Sequence, residues 1–244
     1  MDTKDEIIVN ADDFGRSQTI NKAISQCFAL NIIQRTSIMV NMPYYKEAIL
    51  IAKEENFFDK IGLHINLMEG EPLTESIKLF PEVCSNGIFN GQLQSHLRSK
   101  FFHSSELKKA IKEEIEAQIK VYINEGFPLL HLDSHFHIHN EAFIYNIIKP
   151  LSLQYGIKSM RIARNLMPQN SIIYFIKSLY KYILNSNIKK NFKHTSYFGS
   201  YQDFNLYYKH FSVEIMVHPE LINGELVDIV DHNFIPFSTY YKIL

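Results

Sequence analysis

The stretch "SSELKKAIKEEIEAQIKVYINEGFPLLHLDSH" (104–135) places a helical pattern directly before a strand-like run. An apolar residue recurs every four positions through it, which is the spacing of a helix face that is turned toward a core: Leu107, Ile111, Ile115 and Ile119. Ser104 or Ser105 can cap the start of this helix, and Gly126 and Pro128 end it. The stretch therefore predicts a helix that leads straight into a buried strand.

The same succession of an apolar run and a helical pattern recurs along the chain. Strand-like runs are "EIIVN" (6–10), "SIMVN" (37–41), "KIGLHINL" (60–67), "SMRIA" (159–163) and "SVEIMVHP" (212–219). Helical patterns follow the first two, from about Ser17 to Leu30 and over "YKEAILIAKEE" (45–55). This alternation favours a mainly parallel sheet, either a (β/α) barrel or an open doubly wound sheet, and periodicity alone does not choose between them.

The composition is that of a globular protein with ample material for a core. Of its 244 residues, 46% are hydrophobic, and they include 18 Phe and 14 Tyr. This length suits one large domain or two small ones, and no internal repeat or Gly/Ser/Pro-rich linker divides the chain. A formal net charge of −1 gives no reason to expect nucleic acid or an anionic membrane as the main partner.

Cysteine usage and the N-terminal residues bear on the cellular compartment. Cys27 and Cys84 lie far apart and form no CxxC pair, which predicts buried thiols in a reducing compartment rather than a disulfide framework. The N-terminal residues show no basic segment followed by a long apolar stretch, so we expect no signal peptide. No run approaches the roughly 18 apolar residues that a membrane span requires. We therefore expect a soluble, cytoplasmic protein.

Polar side chains gather where several of the predicted strands end. They are Asp12 and Asp13 after the first strand, His64 late in the third, His135, His137 and His139 after "LLHLD", and His218 after "EIMV". Taken singly they have ordinary explanations, since "NADDFG" is rich in turn residues and His64 between apolar neighbours suits a hydrogen-bonded core histidine. Because the carboxyl ends of parallel strands meet at one rim, we expect these side chains to converge on a shared site.

The nonapeptide "HLDSHFHIH" (131–139) is the densest of these groups, with four histidines and one aspartate at odd-numbered positions. In an extended strand all five side chains would project from one face. Residues two apart are about 6.6 Å apart along a strand, so one or two of these histidines can reach one ion but not all of them. Asp133 can hold a histidine in one tautomer. A solvated polar edge is the alternative.

One aspartate with two histidines is the ligand set of a catalytic rather than a structural metal site, because it leaves coordination positions open. A metal in such a site polarises a carbonyl group and lowers the pKa of a bound water. A free carboxylate nearby can then act as the general base, and a histidine across the pocket as the general acid. His218 suits the second role.

The segment 174–210 is rich in Lys and Tyr. It is typical of a solvated helix that packs through its aromatic side chains, and it can form a contact between two copies of the chain in a homodimer. A sugar-stacking or lid role is the alternative, because Tyr and Phe faces suit pyranose rings.

Four blocks of the sequence, in this order, resemble the YdjC-like carbohydrate deacetylases, a family that includes chitooligosaccharide deacetylases and hopanoid-associated relatives. The blocks are "IIVNADDFG", "GLHINLMEGEPL", "HLDSHFHIH" and "EIMVHP". They extend from residue 7 to residue 219, so the resemblance covers nearly the whole chain. It implies a single deacetylase domain over residues 1–244, with a TIM-barrel-like (β/α)-barrel fold related to that of the polysaccharide deacetylases.

The resemblance also implies an activity, the hydrolytic removal of the acetyl group from an N-acetylglucosamine-containing saccharide with release of acetate. The implied cofactor is a divalent metal, usually Mg²⁺, although imidazole ligands suit Zn²⁺, Co²⁺ or Mn²⁺ at least as well. By motif position, Asp13, His64 and His135 are the implied metal ligands. Asp12 is the implied general base, and His218 is the implied proton donor.

Four further residues are implied to support this site. Arg161 in "SMRIA" falls where the family carries an arginine, in a position to orient Asp12. Asp133, His137 and His139 are expected to contact the saccharide or to hold the metal ligands in place. Two other classes of protein remain: another metal-dependent hydrolase on the same ligands, such as a phosphoesterase, and a non-catalytic sugar-binding protein.

Overall fold

The computed structural model describes residues 7–99, 103–166, 172–204, 211–230 and 233–238. Along the chain its strands are β1 (Ile7–Phe14), β2 (Arg35–Ile38), β3 (Ile61–Ile65), β4 (Cys84–Ser85), β5 (Ile88–Phe89), β6 (His131–Ser134), β7 (Ser159–Met160), β8 (Tyr197–Ser200), β9 (Val213–Val217), β10 (Pro219–Ile222), β11 (Glu225–Val230) and β12 (Asn233–Pro236). Its helices are α1 (Gln18–Ala29), α2 (Tyr45–Glu54), α3 (Glu75–Lys78), α4 (Leu93–Ser99), α5 (Ser105–Asn124), α6 (Ala142–Gln154) and α7 (Ile172–Asn191), with short 3₁₀ helices at Phe58–Lys60, His135–Asn140 and Tyr201–Asp203.

Seven of the strands form one sheet in the order β7-β6-β3-β2-β1-β9-β8, and every neighbouring pair is parallel. The two edges of this sheet approach each other. A parallel bridge joins Ser159 to Lys193, and the Asn165 N–H donates to the Phe198 carbonyl at 3.1 Å. The sheet is therefore curled rather than open, which confirms the (β/α)-barrel prediction over the doubly wound alternative.

The predicted helix before the nonapeptide is α5. The Ser104 hydroxyl caps it by accepting the Leu107 N–H at 3.1 Å, and the predicted apolar residues are all buried. Two polar residues share this buried face. Gln118 Nε2 donates to the Asn66 carbonyl at 2.7 Å, and Glu114 accepts two backbone N–H groups farther along the same loop. Thus α5 holds in place the loop that follows β3.

A second, antiparallel sheet of β10, β11 and β12 packs against α1. Its first hairpin turns at Asn223 and Gly224, which have φ of 51° and 83°, as a type I′ turn requires. The single strand expected over 212–219 is therefore wrong, because the chain passes from one sheet to the other at His218. The N–H of His218 donates to the Asp228 carboxylate at 2.6 Å rather than to a neighbouring strand.

Both cysteines are buried free thiols, as predicted, and burial raises the pKa of Cys84 to about 11. Within the segment 174–210, α7 ends at Asn191 and β8 follows, whereas residues 205–210 lie outside the described residues. Leu179 and Tyr182 on α7 are 54% and 71% exposed, so the helix is partly solvated, and a contact between two copies stays a prediction. In the part of the chain that the structure describes, none of the helices combines the length with the apolarity that crossing a membrane demands.

Candidate active site

Asp12 and Asp13 are neighbours at the end of β1, yet their carboxylates make different contacts. The backbone of Asp13 is left-handed (φ +70°), and the pairing of β1 with β2 shifts register between Ala11 and Phe14. The Asp12 carboxylate is directed at Arg161, and the Asp13 carboxylate at two histidines. Both aspartates are buried. The irregularity in β1 therefore gives two adjacent carboxylates two different environments.

Asp13, His64 and His135 form one buried cluster that is assembled from three strand ends. Asp13 Oδ1 lies 2.8 Å from His135 Nδ1 and 3.3 Å from His64 Nε2. Each residue offers one ligand atom, and these atoms all lie within 4.8 Å of one another. A carboxylate with two imidazoles is a set of ligands that suits Zn²⁺, Mn²⁺ or Co²⁺. Mg²⁺ prefers oxygen ligands, and in this set only the carboxylate supplies one. The cluster can therefore hold a divalent metal ion.

Asp133 orients His64 from the side away from Asp13. His64 Nδ1 lies 2.7 Å from Asp133 Oδ1 and 3.1 Å from the Ser37 hydroxyl, which leaves Nε2 facing Asp13. Burial alone would lower the pKa of His64, but the charge of Asp133 and the hydrogen bond to Asp13 outweigh burial and raise this pKa to about 10. A metal ion that binds Nε2 has to displace the proton held there.

Arg161 is buried and binds three carboxylates at once. Nη1 and Nη2 donate to the two oxygens of Asp12, each at 2.7 Å. Nη2 also lies 2.7 Å from Asp133 Oδ2, and Nε donates to Glu214 Oε1 at 2.6 Å. The grouping of Asp12, His64 and Asp133 also has metal-ligand spacing, but the guanidinium already neutralises both of its carboxylates. The Asp13 cluster is therefore the better metal site.

The same basic groups set the ionisation of the buried carboxylates. Burial would raise the pKa of Asp13, but His135 and His64 outweigh burial and hold it well below its usual range. Burial would also raise the pKa of Asp133, but Arg161 and His64 outweigh burial and hold this pKa well below its usual range. At Glu214, Arg35 and Arg161 overcome burial and lower the pKa to about 2. All three residues therefore carry negative charge at neutral pH.

Glu214 is expected to make the stability of the protein sensitive to acid. Its ordinary pKa is 4.5 and its folded pKa is about 2, so its ionised form stabilises the fold fully above the ordinary value and loses this effect as the pH falls toward 2. The shift corresponds to on the order of 3 kcal/mol. The free energy of unfolding, measured by urea denaturation at about pH 6 and about pH 3, should therefore fall less in Glu214→Gln than in the wild type.

Glu54→Gln is the matched control for this measurement, because Glu54 is exposed on α2. It should retain the full acid sensitivity of the wild type. An equal fall in Glu214→Gln and in the wild type would show that Glu214 does not carry the effect.

His218 faces Asp12 across a small pocket. The second sheet fixes this histidine, because its N–H donates to Asp228 Oδ1 at 2.6 Å. His218 Nε2 lies 4.0 Å from Asp12 Oδ2, and the side chain is 33% exposed. The pocket beside them has a volume of about 100 Å³ and is also lined by Asp13 and Arg16. An acidic and a basic side chain thus flank one opening next to the metal-ligand cluster.

The extended strand expected over 131–139 is wrong beyond Ser134, where β6 ends. Phe136 and His137 both have φ of +52°, and this left-handed backbone turns the chain into a 3₁₀ helix. His139 then folds back against the strand, with Nδ1 2.5 Å from the Ser134 hydroxyl, and burial lowers its pKa to about 4. The five polar side chains therefore do not share a face.

Within the nonapeptide, the structure brings Asp133 and His135 to the cluster but not the other histidines. His137 contacts the Phe198 ring edge-on, with the centroids 5.5 Å apart. Burial and the charge of Arg161 hold the pKa of His137 well below its usual range. His131 lies at the opposite end of β6, where Nδ1 is 2.9 Å from the Ser159 hydroxyl.

Two residues beside the cluster are not predicted by the sequence patterns. Glu69 Oε1 lies 3.5 Å from His135 Nε2 and 2.6 Å from Arg16 Nε. Phe136 is 61% exposed, and its ring meets that of His135 edge-on with the centroids 4.6 Å apart. Glu69 lies in "LMEGEPL", a block that the resemblance already marks. No local signal around Phe136 points to its place beside the cluster.

The model of the YdjC-like protein family matches residues 6–236. The chain belongs to this family. The YdjC-like chain is 29% identical over 231 residues to a carbohydrate deacetylase of Thermoanaerobacter pseudethanolicus, an alignment that covers 93% of the chain and 86% of the relative. It is also 29% identical over 224 residues to a carbohydrate deacetylase of Halalkalibacterium halodurans, with 91% of the chain and 87% of the relative covered.

Similarity to solved structures extends over most of the YdjC-like chain, and one example follows. It is the crystal structure of a protein from Enterococcus faecalis V583 that is described as a candidate for cellobiose-phosphate cleavage. The match covers 91% of the YdjC-like chain and 83% of that chain, with a TM-score of 0.68 and 21% sequence identity. At this identity the similarity bears on the fold alone, and it agrees with the barrel described above.

Proposed function

We propose that this YdjC-like protein is a metal-dependent hydrolase that removes the N-acetyl group from an N-acetylglucosamine-containing saccharide and releases acetate. The observation that carries the proposal is the buried Asp13–His64–His135 cluster next to Asp12 and His218. Membership of the family, and the carbohydrate deacetylases among the relatives, support a reaction of this class. The substrate we propose is a chitooligosaccharide or a related glycoconjugate.

Asp13, His64 and His135 are the residues that would hold the metal, Mg²⁺ by family resemblance. They fit this role because all three are buried, because their ligand atoms lie within 4.8 Å of one another, and because a carboxylate and two imidazoles are a common set of metal ligands. When bound, a divalent ion supplies polarisation of the acetamide carbonyl and lowers the pKa of water. Asp133 keeps the Nδ1 of His64 occupied, so that Nε2 stays directed at the metal position.

Asp12 is the proposed general base. Arg161 holds both of its oxygens at 2.7 Å, which fixes the carboxylate at the edge of the pocket. Asp12 removes a proton from the water that attacks the acetyl carbon. His218 Nε2, across the pocket, gives a proton to the departing amine of the sugar. The water hydroxyl thus ends on acetate, and the amine nitrogen gains the proton that it needs to leave.

The proposal is tested by measuring acetate release from N-acetylated mono- and oligosaccharides with Mg²⁺, Mn²⁺, Co²⁺ and Zn²⁺ in turn, and phosphate release from sugar phosphates in parallel. We expect metal-dependent acetate release without phosphate release. Phosphate release alone would indicate a phosphoesterase. Saccharide binding without turnover in the presence of each of the four metal ions would indicate a sugar-binding protein. Phosphate release alone and binding without turnover would each overturn the proposal.

Phe136 is expected to contribute to saccharide binding rather than to chemistry. Its exposed ring stands beside His135, where a pyranose bound at the cluster can stack on it. We expect the stacked ring to contribute about 1.5 kcal/mol to the free energy of saccharide binding. Phe136→Ala should therefore raise KM roughly tenfold, with little change in kcat. Alanine has to adopt the same left-handed backbone, so the local strain does not change. Steady-state kinetics of acetate release measure the effect.

Phe211→Ala is the matched control for this prediction. Phe211 is 47% exposed and lies before β9, at the end of the barrel away from the cluster. It should have wild-type KM, and Phe136→Trp should retain tight binding. A wild-type KM in Phe136→Ala would exclude the stacking role.

A further inference from the structure

A second cavity, of about 640 Å³, lies at the amino-terminal ends of the barrel strands. The first or second residues of five barrel strands line it: Ile8, Arg35, His131, Ser159 and Glu214. Asp12, Asp13 and His218 lie at the opposite ends of β1 and β9. The cavity is therefore separate from the candidate active site, and its volume is that of a site for a small molecule.

The rim of this cavity is strongly basic. Four lysines line it: Lys158, Lys189, Lys190 and Lys193. Among the described residues of the lining, Glu214 is the sole carboxylate. Its charge is already neutralised, because Arg35 Nη2 lies 2.8 Å from Oε2 and Arg161 Nε lies 2.6 Å from Oε1. The lining therefore has a large excess of positive charge, in a chain whose formal net charge is −1.

Helix stability accounts for the positions of two of these four lysines but not of the other two. Lys189 and Lys190 lie in the last turn of α7, where cations interact favourably with the helix dipole. Lys158 and Lys193 lie outside any helix, on two segments that are joined by a hydrogen bond from the Lys193 N–H to the Lys158 carbonyl at 2.9 Å. Because their backbones are adjacent and both side chains are exposed, Lys158 and Lys193 can both interact with an anion bound in the cavity.

The inner part of the cavity, its floor, is polar and includes a buried histidine. His131 is 2% exposed and lines the cavity, and its Nε2 has no hydrogen-bond partner among the described residues, whereas Nδ1 pairs with the Ser159 hydroxyl. A buried polar nitrogen without a partner is unfavourable by about 1–3 kcal/mol, and a bound molecule can supply the missing hydrogen bond. The basic rim and the polar floor together have the features of a binding site for a small anionic molecule.

We propose that this cavity binds a small phosphorylated metabolite, at a site distinct from the active site. Lysine is a common partner of phosphate because its ammonium group acts as a point charge with three donors. The cavity is larger than a phosphate ion, so the rest of the ligand lies over the polar floor, against His131 and Ser159.

Isothermal titration of the full-length protein with pyrophosphate, at low ionic strength, tests this site. We expect one saturable site in the wild type. In Lys189→Glu/Lys193→Glu the dissociation constant should rise about tenfold or more, because two attractive charges become repulsive. Lys22→Glu/Lys108→Glu makes the same change in net charge at exposed positions outside the cavity lining and should bind as the wild type does.

The rate of acetate release and the thermal midpoint should be unchanged in both double variants, which reports an intact fold. If Lys189→Glu/Lys193→Glu does not fold, Lys158→Ala, at an exposed position directly before β7, replaces it, with an expected weakening of about threefold. Absence of saturable binding in the wild type overturns the proposal. Equal binding in the cavity variant and in the Lys22→Glu/Lys108→Glu control also overturns it, since pyrophosphate would then be bound elsewhere.

Discussion

Asp12→Asn is expected to lower kcat for acetate release by about 10²- to 10⁴-fold, the contribution that a positioned general base makes. The amide has nearly the shape of the carboxylate but cannot take a proton from water. Asp12 is not part of the Asp13–His64–His135 cluster, so the variant should still bind metal. The measurement is acetate release at saturating substrate, with metal content determined on the same sample.

Removal of the Asp12 charge also affects Arg161, which then keeps Asp133 and Glu214 as its anionic partners. The thermal midpoint of the variant therefore has to be compared with that of the wild type. Near wild-type acetate release, in a folded variant with full metal content, would show that Asp12 is not the base. A loss of activity that goes together with unfolding would require the milder Asp12→Glu variant as a second measurement.

His135→Ala is expected to weaken metal binding by at least about 100-fold, more than the loss of a group that only orients a ligand. Acetate release should fall with metal occupancy and should partly return when the metal concentration is raised. The free energy of unfolding without added metal should also fall, because His135 is buried and stabilises the buried Asp13 carboxylate, so the fold of the variant has to be checked by its thermal midpoint. Metal content after dialysis, followed by activity at increasing metal concentration, measures both effects.

His137→Ala is the matched control, since it removes the same type of side chain two positions later. His137 lies against Phe198 and not in the cluster, so metal content should remain that of the wild type. Full metal occupancy in His135→Ala would contradict the ligand assignment. Equal losses in the two variants would mean that the 3₁₀ segment, rather than one imidazole, decides metal binding.

Apolar periodicity predicts most of the strands of the barrel and the helix before β6, although it does not by itself distinguish a barrel from an open sheet. The helix α5 buries Leu107 and Ile119 on one face, as their spacing predicts, because burial of a continuous apolar face stabilises a helix in a folded protein. The proximity of Asp13, His64 and His135 follows from the same architecture. Parallel strands present their carboxyl ends to one rim, so residues far apart in sequence meet there.

Left-handed backbone is the main feature that the sequence does not reveal. Asp13, Phe136 and His137 all adopt positive φ, which residues other than glycine rarely do without support from tertiary contacts. A polar pattern with a period of two therefore resembled a long strand, although the strand ends at Ser134. By contrast, Asn223–Gly224 is a well-known hairpin signal, and the second sheet could have been predicted from it.

The buried charges inside the barrel are equally hard to predict. Charged residues are usually exposed, and the residues around Arg35 and Glu214 in sequence do not indicate that the two side chains form a buried pair. They are buried because each lies on a barrel strand and the two neutralise each other at 2.8 Å. Only the strand order brings β2 and β9 to the two sides of β1, so this pairing depends on the complete topology.

The contacts of the site have a further consequence for how the protein forms. The His64–Asp133 contact closes a loop of 69 residues, the Asp13–His135 contact one of 122, and the Asp12–Arg161 contact one of 149. Closure of such loops is entropically unfavourable until the sheet supports it, and folds that depend on distant pairs assemble slowly. During synthesis, the first carboxylates leave the ribosome long before the arginine that holds one of them. The Asp13–His64–His135 cluster thus cannot form until β1, β3 and β6 share one sheet, and the proposed metal site is absent from any shorter nascent chain.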